Sequence, residues 1–197
     1  MSRIAKLPPD RWDPALREMF AAEQATPLEQ GAMRMFAHRP AIAKGIVALG
    51  AGIKTDRSLP ERLIELVRLR IAFHNQCRSC MAIRYRDAVA AGVDETLVCS
   101  LERPAEAPDL TAAERLALDY ADRFATDHLS IDDAIYEALR EHFYEGQLVE
   151  LGCWVAFCVG FGRLAATWEM VEELPEAYRS REAEPISPWS GVPIEVR

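Results

Sequence analysis

Residues 61–93 read ERLIELVRLRIAFHNQCRSCMAIRYRDAVAAGV, and two features of this stretch decide how the rest of the chain is read. The first half is apolar in nearly every direction around a helix. At about 100° per residue, Leu63, Ile64, Leu66, Val67, Leu69, Ile71, Ala72 and Phe73 spread widely about the axis. Such a helix belongs at the centre of a domain, so its few charges sit in or beside the core. The second half opens with Cys77-Arg-Ser-Cys80, and its composition predicts a further helix over 77–91, ended by Gly92 as a left-handed residue.

Helical patterning continues on both sides, and alternating β-branched runs are absent. Ser58 and Glu61 read as a capping box that opens the central helix, with Pro60 in its first turn. Upstream, helices are expected over 13–25 with Asp13 as N-cap, over 28–37, and over 41–53. Downstream, Asp94 opens a short helix to about Leu101, and the Pro-containing stretch 103–109 is a linker. Thr111 and Glu114 form a second capping box for a helix to about Thr126. Ser130 or Asp132 caps another helix, to His142, and the last helix runs over about 145–172. Within it Gly152, Ala156 and Gly160 make a stripe of small residues suited to close helix contact. Leu63-Ile-Glu65-Leu66 and Leu148-Val-Glu150-Leu151 echo one another, as two related core helices would. The expectation is an all-α fold: one helical domain over 1–174 and a Pro-rich tail over 175–197, either disordered or an extended arm with Trp189 as an apolar anchor.

Composition narrows the function. A chain of 197 residues, half of them apolar, is long enough for one sizeable core. A formal charge of −8 from 31 acids repels phosphate, so no nucleic-acid partner is expected. The longest uncharged stretch, Leu151 to Gly162, has twelve residues. A membrane span needs about 20, so none is expected. MSRIAKLPPDRW lacks the apolar segment of an export signal, which points to a cytoplasmic protein. Five cysteines in that compartment read as redox or metal chemistry rather than as a disulfide framework.

The chemistry concentrates at Cys77 and Cys80. Two cysteines three apart in a helix's first turn can close a disulfide, and Arg78 and the helix N-terminus favour the thiolate. A zinc half-site or an inert buried pair has the same spacing. Zinc, however, wants four ligands, and only His74 is near. Glu65 on the apolar helix is either a buried carboxylate suited to proton transfer or the ion-pair partner of Arg62 or Arg68. Tyr85, about 100° from Arg84 on a continuous helix, reads as packing.

Glu65, eleven intervening residues, Cys77-x-x-Cys80 and a helix running to Gly92 resemble the signature of alkylhydroperoxidase D-like proteins, within the carboxymuconolactone decarboxylase superfamily. The resemblance is densest over residues 55–101 and extends loosely over 30–172. It implies that Cys77 and Cys80 cycle between dithiol and disulfide, and that Glu65 joins a proton relay to Cys80. One position departs: Arg84 stands where the family carries the relay histidine, four residues after the second cysteine. Arginine cannot shuttle protons near neutrality. On a continuous helix it would share a face with both cysteines and stabilise a thiolate, with a surface pair to Asp87 as the plainer reading. His74 is the other candidate for the missing relay member.

The resemblance implies reduction of a hydroperoxide by the Cys77–Cys80 pair, reset by a protein dithiol or a lipoyl group, in a homo-oligomer (dimer, trimer or hexamer). Helix-terminus physics favours Cys77 as the more acidic thiol, and the relay favours Cys80 as the peroxide-reactive one. No cofactor is expected, because no flavin, haem or nucleotide motif is present, and no metal centre is expected either. The rival readings are a lactone decarboxylase of the kind that names the superfamily and a non-catalytic redox-sensing oligomer.

Overall fold

The structure, a computed structural model, describes residues 2–179 and 193–197. Its centre is the helix that the sequence picks out, Glu61–Asn75. In chain order the described helices are α1 (Pro14–Met19), α2 (Pro27–Gln30), α3 (Met33–Phe36), α4 (Pro40–Thr55), α5 (Glu61–Asn75) and α6 (Arg78–Ala82). After strand β1 (Ile83–Tyr85) come α7 (Arg86–Ala90), α8 (Glu95–Ser100), α9 (Ala112–Thr126), α10 (Asp133–Arg140), α11 (Glu145–Trp168) and α12 (Glu176–Arg179). Strand β2 (Ile194–Val196) closes the series. The fold is all-α, as the sequence patterning implies.

Helix α5 packs along α9 and α11, which bury its apolar surface around Leu66, Val67 and Leu69. The echoing segments of α5 and α11 thus face one another across the core. The charges on α5 are buried or half-buried, and three arginines each meet a carboxylate. Arg62 Nε donates to Glu114 (2.6 Å), Arg68 Nε to Glu65 (2.6 Å) and Arg70 Nε to Asp122 (2.7 Å). An unpaired charge at these positions would cost several kcal/mol, so each pair is a condition of burying the helix.

Several local expectations are overturned by tertiary contacts. Ser58 and Glu61 do not form a capping box. The helix begins at Glu61 with Pro60 as its N-cap residue, and Glu61 pairs with Arg57. Glu150 of α11 instead holds the segment leading into the helix, accepting from Ser58 Oγ (2.6 Å) and from the Ser58 and Leu59 amides (2.9 and 3.2 Å). The helix expected over 13–25 stops at Met19, because Ala21 turns left-handed (φ 52°). The one expected over 28–37 is split by Gly31 at φ 38° into α2 and α3. Asp132, not Ser130, caps α10 through the Ile135 amide. The last long helix ends at Trp168, where Glu169 turns left-handed (φ 55°). Gly92 (φ 88°), the Asp94 cap and the reciprocal Thr111–Glu114 box stand as the sequence reads them.

The small-residue stripe on α11 is corrected in part: at Gly152 a Cβ would lie 3.4 Å from the Tyr120 hydroxyl of α9, whereas Ala156 and Gly160 are exposed. The tight approach falls at Gly162, where a Cβ would lie 2.5 Å from Asn75 Nδ2. Helix α11, 24 residues long with an 18-residue stretch of mean hydropathy 1.6, is long and apolar enough to cross a membrane by length and composition alone. One face of it packs on α5, where Trp154 Nε1 donates to Ile64 O (3.0 Å), and 28% of its apolar stretch is buried.

The described residues of the expected tail, 175–179 and 193–197, pack on the rest of the chain. Tyr178 on α12 is buried with Met81 and Ala82, and β2 pairs in parallel with β1, Tyr85 opposite Val196. Trp189 lies outside the described residues. The end of β2 is tied down by Arg197, whose amide (3.1 Å), Nε (3.0 Å) and Nη2 (3.2 Å) all donate to Glu29. That guanidinium, with the Thr26 amide, lowers the Glu29 pKa from 4.5 to about 2. A carboxylate depressed in the folded state stabilises above its unfolded pKa and loses that contribution as pH falls through its folded one. Amide protection of β1 should therefore weaken between pH 4.5 and about 2, and Glu29→Gln should show the loosened strand already at pH 7. Hydrogen exchange measures both; full protection of β1 in Glu29→Gln would remove Glu29 as the anchor.

Candidate functional site

The turn that ends α5 sets the position of the cysteines. Gln76 is left-handed (φ 49°), its amide donates to Phe73 O (3.0 Å), and the Cys77 amide donates to Ala72 O (3.2 Å). These two bonds make a Schellman motif, which fixes the direction in which the chain leaves the helix. Cys77 then serves as N-cap of the short helix α6. Cys77 and Cys80 are joined in a disulfide, with Cα atoms 5.2 Å apart. Cys77 keeps only 1% of its surface exposed, whereas Cys80 is half-buried.

Arg68 organises everything around Cys80. Besides pairing with Glu65 through Nε (2.6 Å) and Nη2 (2.7 Å), it donates from Nη1 to Cys80 O (2.6 Å) and from Nη2 to Ile83 O (2.9 Å). Burial works against its charge, but the Glu65 carboxylate outweighs burial and holds the guanidinium more firmly protonated than usual. The Tyr85 ring lies over the same guanidinium, 5.0 Å from Cζ to ring centroid.

This network explains why the helix expected over 77–91 is interrupted. Arg68 takes the carbonyls of Cys80 and Ile83, and Arg84 Nη1 takes those of Met81 (2.8 Å) and Ile83 (3.0 Å). Carbonyls that would continue the helical ladder are thus satisfied by guanidinium groups, and the chain extends into β1.

The disulfide lies between two openings. On the Cys80 side is a cavity of about 330 Å³ with an aromatic wall that includes Phe36, Trp154, Phe157 and Phe161. Its polar contributors include Arg68, Tyr85 and Cys158. Burial pushes the Cys158 thiol up to about 12 and also raises the Tyr85 phenol, the latter against the pull of Arg68. On the Cys77 side is a polar groove of about 590 Å³, lined among others by Arg3, His74, Arg78, Arg163 and Glu169.

Cys77 and Cys80 are brought together as the spacing implies. Glu65 is buried but lines neither opening; its carboxylate is held on both oxygens by Arg68, the ion-pair alternative of the sequence reading. Arg84 is not on the helix of the cysteines. It lies on β1, buried, with Nε and Nη2 on Glu95 (2.8 and 3.1 Å), and it lines neither opening. Asp87 faces Lys54 instead (3.8 Å). His74 lines the groove beside Cys77, with Nε2 2.7 Å from Asp122. For Asp122, burial is outweighed by the bonds from His74 and Arg70, which keep the carboxyl below its usual range. Among the described residues, no group of three or more His, Cys, Asp and Glu is placed to hold a metal.

Sequence reasoning missed Arg68, Tyr85 and Cys158 as residues of the cavity. A clue existed for Arg68 alone, as a charge on an otherwise apolar helix three residues after Glu65. Tyr85 was hidden by the assumption that 77–91 is one helix.

The fold and site define a helical protein with a disulfide of CxxC spacing, set between an aromatic cavity and a polar groove. Residues 40–123 match the model of the carboxymuconolactone decarboxylase family. The fold is similar to that of an uncharacterized peroxidase-related protein from Ralstonia eutropha, described as an alkylhydroperoxidase AhpD core. The TM-score is 0.73 at 19% identity, covering 90% of this chain and 94% of that one. It is also similar to a protein of unknown function from Agrobacterium tumefaciens, suggested to be the antioxidant defence protein AhpD. There the TM-score is 0.61 at 22% identity, covering 71% of this chain and 96% of that one. Two uncharacterized Mycobacterium tuberculosis proteins are 37% identical over 97 residues, which is 48% of this chain and 34% of theirs. The match thus spans about a third of the length of those curated relatives.

The Glu65–Arg68 pair yields a stability prediction. Glu65→Gln leaves a buried guanidinium uncompensated and should cost about 3–5 kcal/mol. Glu65→Gln combined with Arg68→Met should cost less than the sum of the two single changes. Chemical denaturation of the three variants measures this, and strict additivity would show that the pair is not coupled.

Proposed function

We propose that the protein is a thiol peroxidase that reduces organic hydroperoxides through Cys77 and Cys80. The observation that carries this reading is the position of Cys80, the more accessible of the two sulfurs, on an aromatic cavity that suits an organic substituent better than water. In the reduced protein the Cys80 thiolate attacks the terminal oxygen of the hydroperoxide. An S–O bond forms, the O–O bond breaks, and the alcohol leaves once its oxygen is protonated. The Cys77 thiol then displaces water from the Cys80 sulfenic acid and closes the disulfide. A dithiol reductant, a protein dithiol or a lipoyl group, returns two electrons and two protons. Glu65, clamped by Arg68, acts by holding that arginine in place, and the proton-relay role implied by the family falls to another group.

The reduced protein should lose two thiols per equivalent of cumene hydroperoxide in stopped-flow mixing, and react more slowly with hydrogen peroxide. Cys80→Ser should abolish the reaction. Cys77→Ser should halt it at a sulfenic acid that dimedone traps. Thiol loss without turnover in the presence of a dithiol would favour a redox sensor. Product release from a cyclic lactone acid, with no thiol loss, would favour the decarboxylase that names the family.

The same reading includes self-association. Ile42 and Leu49 on α4 and Val149 on α11 are exposed at 53%, 48% and 65%, and α4 and α11 pack against one another. Apolar side chains of that size on adjoining helices fit an interface with a second copy. Light scattering at micromolar concentration should give a multiple of 22.1 kDa, and Leu49→Lys with Val149→Lys should shift it toward the protomer mass. A protomer mass for the unmodified protein would sink the proposal.

A further inference from the structure

If Glu65 is locked and Arg84 is turned away, some other group must protonate the leaving oxygen. The cavity beside Cys80 offers few choices. Arg68 holds its protons permanently. The Cys158 thiol is a weak donor. The Asn75 amide is occupied with Cys158 O (2.9 Å), and the Ser79 hydroxyl lies 3.7 Å from Cys77 Sγ. His74 lines the opposite opening and is bound to Asp122. Tyr85 remains. Its ring is stacked on Arg68, its strand is held by β2, and its surface is 37% exposed and contributes to the cavity wall.

We propose that Tyr85 is the catalytic acid of the peroxide reaction, donating its phenolic proton to the oxygen that leaves the hydroperoxide. This rests on the peroxidase reading. As the Cys80 sulfur takes the terminal oxygen, the electron pair of the O–O bond passes to the alkoxide oxygen, which takes the proton of Tyr85. The alcohol departs, and the phenolate left behind is reprotonated from water. Arg68, stacked against the ring, provides the positive charge that stabilises the phenolate while it lasts. The burial that raises the phenol pKa also keeps the proton in place beforehand at neutral pH.

The test compares leaving groups. In a Cys99→Ser, Cys153→Ser background, which removes the two exposed thiols outside the disulfide, Tyr85→Phe keeps the ring over Arg68 and removes only the hydroxyl. With tert-butyl hydroperoxide, whose alkoxide needs a proton, single-turnover oxidation of Cys80 should slow by about 10²-fold, the lower end of general-acid effects. With peracetic acid, whose leaving acetate needs none, the rate should stay within about threefold of the parent. Equal losses with both oxidants would mean that Tyr85 only shapes the site, and no loss with either would remove it from the chemistry; both outcomes overturn the proposal. A parent protein whose Cys80 reacts with neither oxidant overturns the peroxidase reading itself and this inference with it.

Discussion

Arg68 is a cation placed where the sequence otherwise puts hydrocarbon, and the local architecture follows from satisfying it. A buried guanidinium must find an anion and acceptors for its N–H groups, or the helix that carries it cannot be buried. Glu65 supplies the anion from one helical turn away. The remaining donors reach Cys80 O and Ile83 O, which ends α6 and starts β1. The face of the cation takes the Tyr85 ring. One side chain thus fixes the backbone at the second cysteine, the strand beyond it and the aromatic residue on that strand. The cost of an orphaned charge makes the arrangement all-or-none, which is the kind of rigidity a reactive sulfur needs if its neighbours are to stay in register.

The two openings give the disulfide an asymmetric environment. Cys80 meets aromatic rings, while the space over Cys77 is lined with guanidinium groups from Arg3, Arg78 and Arg163, with Glu169 among them. In a chain whose net charge is −8, that concentration of positive charge is local and contrary to the average. On the peroxidase reading, the chemistry of the two half-reactions is divided in space, with the apolar oxidant admitted on one side and polar groups gathered on the other.

How much of this was legible in the sequence depended on the range of the interactions involved. The central helix was readable because burial on every side leaves a composition that no other location tolerates. The Asp94 and Thr111–Glu114 caps were readable because their hydrogen bonds close within three residues. The cysteine pair was readable for the same reason. What failed was set by contacts distant in sequence. Glu150 displaced the Ser58–Glu61 box, and Arg68 and Arg84 stopped a helix that local propensity would have continued. Once that helix was assumed, Arg84 was drawn toward the cysteines and Tyr85 away from the site, and both placements reversed together. Glu65 was recognised as buried, but its role turned on whether Arg68 held one of its oxygens or both, which spacing alone does not decide.

The parallel pairing of β1 with β2 carries a consequence for the order of events in biosynthesis. Ile83 finds its partner only when Ile194 has been made, long after the cysteines and α5. Until then the residues beside Cys80 form a bare strand edge next to a pair of reactive thiols, a template on which another chain could add. Contacts so remote in sequence form late, because the intervening chain must first be closed into a loop. Completion of the site therefore waits on the pairing of residues 83–85 with 194–196.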